Sequence, residues 1–183
     1  MNPALLLVDI QRDYFPKGRM EVVGAVEAGR AAGRLLNAFR DRGLPVLHVR
    51  HIAARPNATF LLPNTEGIAI HESVKPLPGE IVVTKQYPNS FRETGLREEL
   101  LAKDIRELVI CGMMSHMCID ATTRAAFDSG YDCTVAHDAC ATRNMAFGGY
   151  EIPAAQVHGS FMAALGAVYA KVSSFTEIIR TLE

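Results

Sequence analysis

The chain alternates between short apolar runs and longer stretches in which apolar residues recur at helical spacing. Ala4 to Val8 is continuously apolar and ends in Asp9-Ile10-Gln11, the pattern of a buried central strand with polar residues at its carboxyl end. Arg12 to Glu21, with Pro16 and Gly18, reads as a loop. From Val26 to Arg40 the residues Ala28, Ala31, Ala32, Leu35, Leu36 and Phe39 share one face of a helix that Gly43 stops. Pro45–Val49 and Ile81–Thr84 read as the second and third strands, the third ending in Lys85. Between them Ile52 to Pro78 carries Pro56, Pro63, Pro76 and Pro78 and predicts a long irregular loop, of the kind that serves as a lid or an oligomer contact.

The second half continues in the same way. Leu96–Ala102 predicts a short helix and Leu108–Cys111 a fourth strand. A helical pattern then starts near Cys118 and closes at Gly130. Asp132–Ala136 predicts a fifth strand, Pro153–Val168 a long helix, Lys171–Ser174 a sixth strand and Thr176–Leu182 a terminal helix. Strands alternating with helices, without a run of hairpin turns, predict an α/β fold. It should have three α-β-α layers around a mostly parallel sheet of about six strands. No repeat, linker or low-complexity tract divides the chain, so residues 1–183 are expected to form a single domain.

Composition narrows the function classes. With 49% hydrophobic and 21% charged residues the chain has the makeup of a folded globular protein. A net charge of −1 gives no electrostatic case for nucleic acid or an anionic membrane as partner. No apolar run approaches the roughly 20 residues of a membrane span. Met1-Asn2-Pro3 leads directly into a strand, without a basic or apolar leader pattern, which makes a cytoplasmic protein the expectation. Cys111, Cys118, Cys133 and Cys140 lack C-x-x-C spacing and fit reduced thiols better than a disulfide framework.

In an open parallel sheet ligands bind beyond the carboxyl ends of the strands. Asp9 and Lys85 fall at such ends, and Cys118 follows one a turn later. Taken singly, each has an ordinary reading, a small buried thiol or a strand surfacing into a polar loop. Convergence of all three on one sheet edge points to chemistry. Cys118 is expected on a strand–turn–helix elbow at a helix N-terminus, where backbone N–H groups and the macrodipole favour the thiolate. Lys85 would lower the thiol pKa further, and Asp9 would take the thiol proton and return it to a leaving group. His116 is at most a wall residue; Gln11, Tyr14, Phe15, Phe91 and His116 are the candidate lining of a pocket for a small molecule. His48 and His51 should face opposite sides of a strand and its exit, so no metal is expected. The chain has no G-x-G-x-x-G and no Walker lysine, so no cofactor is expected.

These residues stand in motifs that resemble the isochorismatase-like cysteine hydrolases, among them nicotinamidases, N-carbamoylsarcosine amidase, ureidoacrylate and biuret amidohydrolases, and isochorismatase itself. The resemblance covers nearly the whole chain. It is carried by Leu6-Leu7-Val8-Asp9-Ile10-Gln11-Arg12-Asp13-Tyr14-Phe15, by Val82-Val83-Thr84-Lys85, and by Cys111-Gly112-Met113-Met114-Ser115-His116-Met117-Cys118. His137-Asp138-Ala139-Cys140-Ala141-Thr142 also looks like the family segment that follows the fifth strand. The resemblance implies a Rossmann-like six-stranded sheet and an Asp9–Lys85–Cys118 triad, with Cys118 attacking the carbonyl of an amide or carbamoyl group to form a thioester. It further implies a cis peptide at Met113–Met114, an oxyanion hole from the Met114 and Cys118 N–H groups, and a homo-oligomer, dimer or tetramer. The small residues of Pro153–Val168 (Ala154, Ala155, Gly159, Ser160, Ala163, Ala164, Gly166, Ala167) fit a contact between subunits. Where nicotinamidases have a metal-binding Asp-x-His after the second strand, this chain has His51-Ile52-Ala53, so the substrate stays open. An isochorismatase-type ether hydrolase, whose reaction does not need the cysteine, and a non-catalytic oligomeric member of the family are the alternatives.

Overall fold

The continuously apolar runs become the inner strands of one parallel sheet. A computed structural model of the chain describes residues 3–182, so Met1 and Asn2, on which the expectation about the chain start rests, lie outside it. The elements are β1 (Ala4–Val8), α1 (Ala25–Asp41), β2 (Val46–His51), β3 (Ile81–Lys85), α2 (Leu96–Ala102), β4 (Glu107–Met113), α3 (Asp120–Asp128), β5 (Asp132–Ala141), β6 (Met145–Phe147), β7 (Tyr150–Ile152), α4 (Ala154–Val168), β8 (Lys171–Ser173) and α5 (Phe175–Thr181). Six of the strands form a sheet in the order β3-β2-β1-β4-β5-β8, parallel throughout. β1 is buried at all five positions because it has a strand on each side and helices above and below. Helices α1 and α5 pack together on one side of the sheet, and α3 and α4 pack together elsewhere, away from that pair. The chain leaves β1 toward β2 and β3, then returns to β4 and continues outward. The switch point therefore lies between β1 and β4.

Several boundaries differ from those the sequence predicts. β4 runs on through Gly112 to Met113, and β5 runs to Ala141, so His137 to Ala141 lie within the fifth strand rather than after it. β5 can be this long because it bulges: two steps on β4, from Ile110 to Gly112, match five on β5, from Val135 to Cys140. A hairpin of β6 and β7 turns through Gly148 and Gly149 at φ of 58° and 82°. Both central residues have the positive φ that a tight two-residue turn demands. The long loop keeps its irregular path with two short 3-10 turns, Glu66–Ile68 and Glu72–Val74. It is held against the segment after β1: Arg12 N–H donates to Ala69 O (3.0 Å), His71 N–H donates to Ile10 O (2.8 Å), and the His71 ring stacks on Phe15 at 3.5 Å.

At the other end of that loop Arg40, from α1, and His48, from β2, converge on Glu80. Arg40 grips both carboxylate oxygens at 2.7 Å, His48 Nε2 lies 3.0 Å away and Leu77 N–H donates at 2.8 Å. Partial burial works against the charge, yet these partners hold the Glu80 carboxyl down to about 2. His48, the first of the two histidines weighed as ligands, is thus committed to this network and faces away from Asp9.

Candidate active site

Asp9 follows the last residue of β1 and is fully buried. Its φ of 53° is left-handed, a conformation that aspartate tolerates better than most side chains, and its N–H still bonds Val49 O at 2.9 Å. Lys85 ends β3, two strands away, and stands beside His51 in the β2–β3 register. Its side chain crosses β2, so that Nζ lies 2.7 Å from Asp9 Oδ2, 3.0 Å from Tyr87 O, 3.2 Å from Cys118 Sγ and 3.3 Å from His51 Nδ1. Cys118 arrives from β4. At Gly112, φ is +132° and an added Cβ would stand 1.9 Å from Val8 O, so only glycine lets β4 pass this close to β1. The Met113–Met114 peptide is cis, and a π-type turn over Ser115–Ile119 then carries Cys118.

Two expectations about the thiol change. Cys118 sits inside that wide turn, before α3 begins at Asp120, rather than at the first position of a regular helix. Nor does the surrounding protein favour the thiolate. Burial above all, and the Asp9 carboxylate next, push the thiol pKa well up, while Lys85 pulls it part of the way back. Lys85 itself is raised: burial acts to lower it, and Asp9 and then Cys118 outweigh that. Burial keeps Tyr14 a neutral phenol, with the neighbouring Cys118 and Asp9 adding to the effect, and burial likewise lowers the His51 pKa. The Asp9–Lys85 ion pair thus lies beside a sulfur whose proton is harder to remove than that of a free thiol.

The donor atoms of Asp9, His51 and Cys118 all lie within 4.8 Å of one another, a spacing that a metal ion could use. Lys85 Nζ lies within hydrogen-bonding reach of all three. A cation already fills the centre of the set.

Above the cluster opens a cavity of about 380 Å³. Cys118, His51, Tyr14, Met114 and Met117 line it, with Gln86 and Pro88 after β3 and the loop segment 53–61 on the far side. Of the five expected wall residues only Tyr14 is there. Gln11 is spent as a strap, its amide bonding His51 N–H (2.7 Å) and the carbonyls of His51 and Ile68 (2.9 Å each). Phe15 stacks on His71, and Phe91 packs on Tyr131 at 6.0 Å. His116 turns away to bond Thr142 Oγ1 and meets the edge of Phe161. The sequence reading missed Phe60, Leu61 and their loop neighbours as the opposite wall. That loop is tied down by Asp13, whose Oδ2 accepts from Leu61 N–H at 2.6 Å, and by Ala53 N–H to Leu61 O at 2.9 Å. The buried Asp13, two residues from Gln11, is the signal that could have found it.

Fold and cavity together define a three-layer α/β enzyme with its ligand site at the switch point of the sheet. The Isochorismatase domain family matches residues 3–161, and the chain belongs to the isochorismatase family of hydrolases. It is 51% identical, over 95% of its length and 97% of the relative's, to the isochorismatase family protein YddQ of Bacillus subtilis. A solved isochorismatase-type hydrolase structure from Oleispira antarctica superimposes with a TM-score of 0.93 at 50% identity, covering 98% of this chain and 96% of that one. The maleamate amidohydrolase of Pseudomonas putida is 30% identical over 78% of this chain and 74% of its own.

Proposed function

We propose that this protein is a thiol amidohydrolase that cleaves the C–N bond of a small amide or carbamoyl compound through a thioester on Cys118. The observation that carries the reading is the single ammonium, Lys85 Nζ, that touches both Asp9 (2.7 Å) and Cys118 Sγ (3.2 Å) at the floor of the cavity. The amidohydrolase activity in the name of the Pseudomonas relative supports it. On attack the S–H proton passes to Asp9 as the S–C bond forms, and the carbonyl oxygen becomes an oxyanion. The N–H groups of Met114 and Cys118 donate to that oxyanion. As it collapses the C–N bond breaks and Asp9 returns its proton to the leaving nitrogen. Water, deprotonated by Asp9, then attacks the thioester; the C–S bond breaks, the acid leaves, and the sulfur recovers its proton. Lys85 holds the carboxylate and the sulfur in register and balances the charge that moves between them. Peptide mass spectrometry after rapid quenching of a panel of small amides should find the acyl group on Cys118. Absence of any adduct, together with vinyl-ether cleavage by a Cys118→Ala protein, would replace this reading with the ether-hydrolase one.

We propose that the chain self-associates through α4. Among its residues Ala154, Val157, Met162 and Leu165 are buried, while Ala155, Gly159, Ala163, Ala164 and Ala167 face outward. The hairpin before it exposes Phe147 (82%) and Tyr150 (79%). That much bare apolar surface fits a two-fold contact. Sedimentation at micromolar concentration should show a dimer or larger species that loosens in Ala163→Arg; a clean monomer refutes the contact. Four free, buried cysteines suit a reducing compartment such as the cytoplasm. Among the described residues no helix is long and apolar enough to cross a membrane.

A further inference from the structure

The charge on the cavity wall is uneven. Asp9 and Lys85 compensate one another beneath the sulfur, and burial disfavours the charged form of His51. Tyr14, Phe60, Leu61, Met114, Met117 and Pro88 give the wall an apolar character. Arg55 is the one Arg, Lys, Asp or Glu residue of the lining. It sits on the tethered loop, where its carbonyl accepts from Ala58 N–H at 3.1 Å in a tight turn, so its backbone is held at the cavity mouth. Like most arginines of the chain, Arg55 has no carboxylate partner among the described residues; what sets it apart is its place in the cavity lining. Its charge reaches inward as far as His51, where it works with burial against protonation. Asn57, Thr59 and Gln86 add neutral polar groups to the same lining.

An exposed arginine is ordinarily no more than a solvated charge. This one lines an apolar cavity whose floor has no net charge to repel or attract a ligand, and a planar guanidinium is shaped to hold a carboxylate by two parallel hydrogen bonds. We propose that Arg55 determines specificity here, selecting amide or carbamoyl compounds that bear a carboxylate or similar anion at the end remote from the scissile carbonyl. The proposal rests on Cys118 being the nucleophile of an amidohydrolase, and it orients the substrate: scissile carbonyl on the sulfur, apolar middle against Tyr14 and Phe60, anion at Arg55.

Two measurements on the whole protein separate this from the reading beneath it. The first needs no turnover. Iodoacetate and iodoacetamide both alkylate a thiol with loss of iodide and differ in that one is an anion, so the ratio of their rates at Cys118 reports the field at the cavity. Arg55→Glu should lower the iodoacetate-to-iodoacetamide ratio about tenfold, the scale of one charged hydrogen-bonding partner gained or lost. Arg55→Gln should lower it less, and Arg55→Lys should retain most of it. The second compares kcat/KM for succinamate and butyramide. The preference of the native enzyme for succinamate should shrink in Arg55→Gln, mainly through KM. An alkylation ratio indifferent to all three substitutions overturns the proposal, whatever amides are hydrolysed. A ratio that falls as stated while no amide is turned over leaves the anion selectivity standing and removes the amidohydrolase reading instead.

Discussion

Cys118→Ala is expected to fold, to keep the cavity, and to lose essentially all turnover. The substitution removes a sulfur that is only 6% exposed and leaves a small apolar side chain in its place, so packing has little to lose. Catalysis has no such reserve, because the lining holds no second thiol and covalent catalysis does not survive loss of the attacking atom. Exposure alone does not single out this cysteine. Cys133 is 8% exposed and Cys140 7%, and burial pushes both thiols up to about 12. What Cys118 alone among the four has is an ammonium at 3.2 Å, a carboxylate beside it to take the proton, and an open cavity above. Iodoacetamide should therefore modify Cys118 first in the native protein. Peptide mapping that finds Cys133, Cys140 or Cys111 modified ahead of it would remove the assignment.

Much of this arrangement is legible in the chain because the sheet is parallel. A strand buried on both faces must be a continuous apolar run, and the residue that ends the run must emerge at the ligand edge. Ala4–Val8 thereby locates Asp9, and Cys111-Gly112 locates the turn to Cys118; Ile81–Thr84 is an edge strand with alternating burial, and its apolar residues still bring Lys85 to the same edge. The lining of the cavity has no such pattern behind it. Phe15 and Phe91 are aromatic and close in sequence to the site, but a loop side chain points wherever tertiary contacts draw it, here toward His71 and Tyr131. The wall opposite Cys118 comes from residues 53–61, tied across 48 positions of chain by the hydrogen bond that Leu61 N–H donates to Asp13 and closed on itself by Ala53 N–H to Leu61 O. The β6–β7 hairpin carries its signal openly in Gly148-Gly149, whose positive φ values make the two-residue turn. The balance at the Cys118 thiol is hidden from the sequence for a different reason. Proximity to Lys85 is visible in strand order, whereas the burial that outweighs it depends on the whole packed fold.

Asp9→Asn and Lys85→Met should move the thiol in opposite directions, although both lower activity. Asp9 raises the Cys118 pKa and Lys85 lowers it. Removing the Asp9 charge leaves the ammonium with the sulfur as its remaining anionic partner, so the pH profile of alkylation shifts to lower pH. Removing the Lys85 charge takes away the only neighbour that favours the thiolate, so the profile shifts to higher pH. Turnover does not follow the thiolate. Asp9→Asn has an easier nucleophile but no base to receive the thiol proton and no acid to protonate the leaving nitrogen, which should cost on the order of 10² to 10⁴ in rate. Each variant also leaves one member of a fully buried ion pair alone, a loss of about 3–5 kcal/mol in stability, so thermal unfolding must first show both proteins folded at the assay temperature. Asp9→Asn that alkylates at lower pH yet barely hydrolyses would separate proton transfer from sulfur activation. If instead its activity and its alkylation profile both match the native enzyme, Asp9 takes no part in the reaction and the proposed mechanism fails at its first step.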